Sequence, residues 1–400
     1  MIANTALFFI LLPYVGIAAL PSDIQPFAVL FSVFYLLISR STFSKNEIMV
    51  IMLVILSLIL AILNTAIFYE LSFINIFRYS FGYITPIVIY AYVKNNNFTH
   101  DQIKKTLDYI LAILMIGYIV NYMGLTYLIQ PFVNRAIYDA EGVRGFTSFF
   151  PEQSIVATQL FFYAFIYYIF NCLNRFRLLI IIFFALLSLS GQTFINLIAF
   201  SLCLGIYYSI VKFRIKYFFY LTIFIVFIVN VDLISIGNYL NLPMRGLVVI
   251  TDFYDQGLQF LLIDQGIVYK LSGLIYGVAG IFDLNLIPSI YKTHYLEMLN
   301  TSYLEFICYE LLNLNSVVVP HNPYSIFGSI SYDFGLYGLL VLLSLFFYTL
   351  SDLYLAGIKT SFIIILFFML FLFFVHSFIA QPTFWFIVFL ILAKREKIHV

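Results

Sequence analysis

What most limits the fold of this chain is how its apolar residues are grouped: long runs with hardly a charge, cut by short clusters of Lys, Arg, Pro and polar residues. Cut at those clusters, the sequence gives runs near 2–20, 24–39, 48–68, 78–93, 107–123, 154–171, 178–190, 193–211, 217–236, 325–350, 361–380 and 383–394. A helix needs ~20 residues to cross ~30 Å of hydrocarbon, and these runs read as transmembrane helices on that measure. The runs at 178–190, 193–211 and 383–394 include short or polar-interrupted stretches, so ten to twelve spans are expected. The expected fold class is all-α, a polytopic membrane protein with a large external loop.

Composition agrees. Apolar residues make up 63% of the chain and charged residues 10%, where soluble domains carry roughly 45–50% and about 25%. Mean hydropathy is +1.03. Residues 2–20 are apolar from the start, with neither a basic leader nor a small-residue cleavage site before Pro21, so this span is expected to be retained.

The net charge of +1 hides an alternation that sets orientation. With the N-terminus in the cytoplasm, 14 of the 20 basic residues fall on that side: Arg40, Lys45, Lys94, Lys104, Lys105, Arg175, Arg177, Lys212, Arg214, Lys216, Lys359, Lys394, Arg395 and Lys397. The outer side keeps Arg78, Arg135, Arg144, Arg245, Lys270 and Lys292, against 14 of the 19 carboxylates. The expected organisation is N-terminal helices over 1–123, an external loop over 124–153, central helices over 154–236, a large external segment over 237–324 and C-terminal helices over 325–400. Both termini are then cytoplasmic. The protein is expected in the plasma membrane.

The 237–324 segment is long, polar and aromatic, and it returns straight into an apolar run. A segment of that size holds whatever chemistry lies outside the bilayer, which points to a membrane enzyme rather than a channel. Within it, 271–282 is Gly-rich and apolar between Lys270 and Asp283. At about twelve residues it is too short to cross, so a surface or re-entrant segment is expected. Residues 294–312 read as a helix, with Leu296, Leu299, Tyr303, Phe306 and Ile307 on one face.

Several chemistries lack their signatures. Cys172, Cys203 and Cys308 are scattered without CxxC spacing. There is no HExxH, no GxxxxGK[ST] and no GxGxxG after a strand. No DxD-like pair stands near a membrane surface to hold a nucleotide-sugar through a metal. The expected chemistry therefore runs on neither ATP nor a coordinated metal, and no cofactor is expected.

What remains are polar residues at costly positions. Arg144 to Ser154 (RGFTSFFPEQS) closes the first external loop and opens a span, with Pro151 near the helix start and Ser148 as its expected cap. A helix N-terminus offers N–H groups and a positive dipole to an anion, and Arg144 adds a fork suited to phosphate. Arg144 and Glu152 would equally serve as an interfacial pair anchoring the span. Arg245 in Met244-Arg245-Gly246 gains weight because external basic residues are scarce, although a lone external Arg is commonly just solvated. His321, in His321-Asn322-Pro323-Tyr324, is a base placed where the long segment re-enters the membrane; the alternative is a His bonded to loop backbone. His376, mid-span, reads as helix packing. Ser188, Ser190, Gly191, Gln192, Thr193 and Asn196 form a polar hairpin that packs on its neighbours or meets sugar hydroxyls.

The RGF..FFPEQS block before a middle span, the SLSGQT hairpin, the Arg-Gly of a large external loop and HNPYSIFGSISYDFGLYGLL after it together resemble the Wzy-type O-antigen and capsular repeat-unit polymerases, relatives of the O-antigen ligases. The likeness covers roughly 140–345. It implies a GT-C type membrane glycosyltransferase that joins oligosaccharide repeat units carried on undecaprenyl pyrophosphate, at the outer face of a bacterial inner membrane. Arg144 and Arg245 would hold the donor pyrophosphate, and His321 would activate or position the acceptor hydroxyl, with Glu152 as the other candidate base. Gln192, Asn322 and Tyr324 are candidate sugar contacts. Its partners would be the lipid-linked oligosaccharide, membrane lipid, a chain-length regulator and a flippase; no nucleic acid is expected. An O-antigen ligase would share these features and differ in acceptor. A flippase or transporter would be expected to show internal repeats and charges buried mid-span, and the sequence shows no repeat.

Overall fold

Long charge-poor runs can satisfy their backbone groups locally only by coiling, and helix is the one regular structure among the described residues. The computed structural model of the 400-residue chain describes residues 2–16, 24–39, 42–68, 73–134, 147–188, 191–207, 277–278, 325–335, 338, 360–375 and 379–396. The helices are α1 (Ile2–Leu11), α2 (Phe27–Ser39), α3 (Lys45–Phe68), α4 (Phe73–Lys94), α5 (His100–Tyr122), α6 (Gln153–Ile169), α7 (Arg175–Ser188), α8 (Gly191–Ile206), a helical stretch over 326–335, α9 (Thr360–Val375) and α10 (Pro382–Glu396). A 3-10 turn at Thr126–Leu128 follows α5.

Local signals set the starts. Ser44 and Glu47 form a capping box on α3: the Ser44 amide donates to Glu47 Oε2 (2.6 Å) and the Glu47 amide to Ser44 Oγ (3.3 Å). Thr99 caps α5 from an extended conformation (φ −85°, ψ 153°), accepting from the Gln102 amide at 3.2 Å, and Asp101 sits in the positive first turn.

The outside of the bundle is apolar. Met49, Met52, Leu56, Leu60, Leu63 and Ile67 of α3 are exposed, as are Ile116, Ile119 and Tyr122 of α5 and Leu179, Ile182 and Phe183 of α7. Residues 47–67 form the one described helix long and apolar enough to cross a membrane. An exterior of this kind suits association with a membrane. Lipid tails are as apolar as Leu, so helices in such a solvent are joined by close packing and interhelical hydrogen bonds rather than by the hydrophobic effect. The packing is aromatic: Phe9 stacks on Phe31 at 5.3 Å, and Phe161 on Phe368 at 5.5 Å.

Helix direction alternates over α1–α5, and four lysines come to one end as a result. Lys94 and Tyr90, near the end of α4, both donate to Glu47 at the start of α3. Tyr35 of α2 donates to the Asn95 carbonyl (3.2 Å), Tyr92 to the Ala3 carbonyl (2.7 Å) and Gln102 to Asn4 Oδ1 (2.6 Å). The beginnings of α1, α3 and α5 and the ends of α2 and α4 thus share one pole, with Lys45, Lys94, Lys104 and Lys105.

The run 2–20 departs from expectation, because its helix ends at Leu11. Pro13 cannot donate to a continuing helix, and the chain turns at Leu12–Tyr14. At 1.5 Å per residue α1 is about 15 Å long, half a bilayer core. Its last carbonyls are taken by side chains: Gln159 Nε2 (2.8 Å) and Tyr163 Oη (2.8 Å) donate to Leu11, and Thr383 Oγ1 (2.6 Å) donates to Ile10. Gln159 also donates to Thr383 (2.9 Å) and accepts from Gln381 (3.3 Å). α1 therefore stops roughly 10–15 Å along α6, among fully buried polar groups, counting 1.5 Å per residue from Gln153. Beyond the stop the Gly16 amide reaches the Phe132 carbonyl (2.9 Å), and the Gln25 amide returns to the Pro13 carbonyl (2.8 Å) before α2 begins.

Candidate functional site

The chain leading into α6 is shaped by α5. Ser148 lies in the left-handed region (φ 52°), and its hydroxyl donates to the Leu114 carbonyl at 2.8 Å. Asn121 of α5 donates to the Gly117 carbonyl (3.0 Å) and accepts from the Thr147 hydroxyl (3.2 Å) and the Ser148 amide (3.1 Å). Ser148 was the expected cap of α6, and the structure corrects this. The N-cap is Glu152, extended at φ −147° and ψ 153°, without a side-chain capping bond. The Ser148 hydroxyl stands four residues too early and is spent on α5. Glu152 is exposed, and its carboxylate accepts from Ser154 Oγ at 3.3 Å.

The turn can sit this close to α5 because residue 117 is glycine. A Cβ there would lie 2.6 Å from Phe149 Cδ2 and would also strike Ser148 Oγ. Gly117→Leu should push the 147–150 turn off α5 and cost about 1–3 kcal/mol, the usual penalty of overpacking. In detergent the midpoint of thermal unfolding should fall by several degrees, with a smaller fall for Gly117→Ala.

The second polar block meets the first on α6. Gln192 Nε2 donates to Asn196 Oδ1 (2.8 Å), Asn196 Nδ2 to Thr158 Oγ1 (3.2 Å), and Thr158 Oγ1 to the Ser154 carbonyl (3.2 Å). Gln192 is 1% exposed and Asn196 fully buried. The Thr193 hydroxyl is also buried and has no hydrogen-bond partner among the described residues. Ser188 donates to the Ala185 carbonyl at 2.8 Å. Ser148 and Phe150 of the first block and Val156 of α6 line a small cleft with Phe184, Leu187 and Ser188 of α7 and with Leu114 and Tyr118 of α5. Ser188, Gln192 and Asn196 of the polar hairpin are thus bonded within the bundle.

The opposite, basic pole holds a clamp that the sequence did not disclose. Arg177 Nε and Nη2 each donate to a different oxygen of Asp108 at 2.8 Å, while Nη1 donates to the Cys172 carbonyl at 3.0 Å. Tyr167 donates to Asp108 Oδ1 (2.7 Å), and the guanidinium lies 5.3 Å from the Tyr167 ring centre. This planar, bidentate arrangement is one Lys could not reproduce. The bonds to Asp108 raise the Arg177 pKa, while burial raises that of the Cys172 thiol.

Of the residues picked out from sequence, Glu152 and Gln192 lie in this part of the structure. Arg144, Arg245, His321, Asn322, Tyr324 and His376 lie outside the described residues, as does the 237–324 segment except for 277–278. Gly277, from the apolar stretch 271–282, is buried and lies where a Cβ would stand 3.2 Å from the Gly328 Cα. That stretch therefore packs against the 326–335 helix at this point. Ser325 opens the helix, its Oγ accepting from the Gly328 amide at 2.8 Å. The chain matches no protein-family model, no curated protein and no solved structure.

Proposed function

We propose that this protein is a multi-pass inner-membrane glycosyltransferase of the GT-C type, joining undecaprenyl-pyrophosphate-linked oligosaccharide repeat units at the outer face of the membrane, with both termini in the cytoplasm. The observation that carries the reading is the hydrogen-bonded relay that joins the SLSGQT and RGFTSFFPEQS blocks at α6, running from Gln192 through Asn196 and Thr158 to the Ser154 carbonyl. Two motifs of the resemblance, distant in sequence, are thereby joined by one chain of hydrogen bonds. The pinned Thr147–Ser148 turn also tethers the end of the loop that carries Arg144. The clustering of Lys45, Lys94, Lys104 and Lys105 at the other pole is the charge bias of a cytoplasmic face.

A sugar on pyrophosphate is already activated. The acceptor oxygen forms a bond to the anomeric carbon, the carbon–oxygen bond to pyrophosphate breaks, and its electron pair leaves on the phosphate. Such a reaction needs cations for the departing anion and a base for the acceptor proton. Arg144 and Arg245 fill the first role and His321 the second, with Glu152 as the other candidate base.

The deciding experiment is purified protein in proteoliposomes supplied with lipid-linked repeat units and EDTA. The expected product is a ladder of longer lipid-linked chains. Transfer to lipid A core alone would mark a ligase, and no transfer to either acceptor would remove the enzyme reading. Reporters fused after Lys105, Lys216 or Lys359 should report cytoplasm, and one inserted near Asn285 the outer side. A cytoplasmic signal at Asn285 would put the donor pyrophosphate out of reach.

A further inference from the structure

Among the described side chains, Asp333 is the only acidic or basic one that is buried, at 8% exposure. It accepts a hydrogen bond from the Tyr83 hydroxyl of α4. The same hydroxyl lies 3.1 Å from the Ser329 carbonyl, one turn earlier on the 326–335 helix, so a single phenol spans a whole turn of its neighbour. The Tyr83 ring meets Phe334 edge-on at 4.9 Å. Phe327 of the same helix packs on Phe374 of α9 at 4.9 Å and against Gly277. Aromatic contacts of this kind permit sliding, whereas a hydroxyl bonded to a buried carboxyl has one register. The tie continues to the start of the helix: Ser329 donates to the Ser325 carbonyl through both its amide and its hydroxyl, each at 3.0 Å. His321 precedes Ser325 by four residues, a reach of at most about 14 Å of extended chain.

We propose that the Tyr83–Asp333 bond is a clasp that fixes the register of the 326–335 helix on α4, and so sets where the chain leaves the large external segment. Tyr83 and Asp333 are then positioning residues for the transfer reaction, a role that rests on the function proposed above. Asp333→Asn keeps a carbonyl acceptor for the phenol, whereas Tyr83→Phe removes the donor and leaves the ring packing intact.

The test is hydrogen exchange of the 325–335 peptide in nanodiscs beside turnover of lipid-linked repeat units. Tyr83→Phe is expected to speed exchange of that peptide at least tenfold while α5 peptides stay at the wild-type rate, and Asp333→Asn should remain within twofold of wild type. In turnover, Tyr83→Phe should lower kcat at least tenfold with the acceptor KM within twofold, and Asp333→Asn should retain most of the rate. Unchanged exchange in Tyr83→Phe, or an equal rise in α5, overturns the clasp. Faster local exchange with wild-type kcat overturns the positioning role. Wild-type protein without turnover would count against the glycosyltransferase reading instead, and the exchange result would still decide the clasp.

Discussion

Arg144→Ala and Arg245→Ala should each abolish polymerisation while the protein accumulates to its wild-type level. Six basic residues are expected on the outer side, and a donor pyrophosphate needs cations where its charge grows as the sugar departs. The guanidinium offers two parallel donors to a phosphate, which a rotating ammonium does not, so the Lys variants should recover little activity. Chain-length profiles of polysaccharide from cells carrying each variant give the measurement. Full activity in both Lys variants would show that charge alone suffices.

His321→Ala should slow repeat-unit joining by roughly 10²–10⁴-fold while leaving donor binding intact, the usual loss on removing a positioned proton acceptor. The comparison is with His294→Ala in purified protein, since both residues belong to the 237–324 segment expected on the outer side, and His321 alone stands where it returns to the apolar run. A near-wild-type His321→Ala would move the base to Glu152, which caps α6 with an exposed carboxylate, or to a mechanism without one.

The helices were legible where a long apolar run is bounded by charge or a cap. α3 covers 45–68 against an expected 48–68, and α6 covers 153–169 against 154–171, because Ser44-x-x-Glu47 and the Pro151-Glu152 turn mark the starts locally. The end of α1 was not read, although Pro13 was its signal: hydropathy runs unbroken across a turn that side chains from α6 and α10 make tolerable. Ser148 was mistaken for a cap because its hydroxyl has a competing acceptor on α5, a contact that no local pattern encodes. The same holds for Asp108 and Arg177, 69 positions apart, and for Tyr83 and Asp333, 250 apart. Periodicity and charge bias speak within a turn or a run, whereas pairings between helices depend on how the bundle closes.

The short α1 has a consequence for how the chain is made. Its final carbonyls are satisfied by Gln159 and Thr383, which lie 148 and 373 positions downstream of their acceptors. During synthesis the Leu11 carbonyl lacks these donors until α6 has emerged, and the Ile10 carbonyl waits for α10. α1 is therefore translated well before the side chains that settle it. A ribosome stalled before α10, or a nonsense codon there, would leave a nascent product whose earliest segment is still unsealed, a mark by which membrane proteases could tell it from the finished protein.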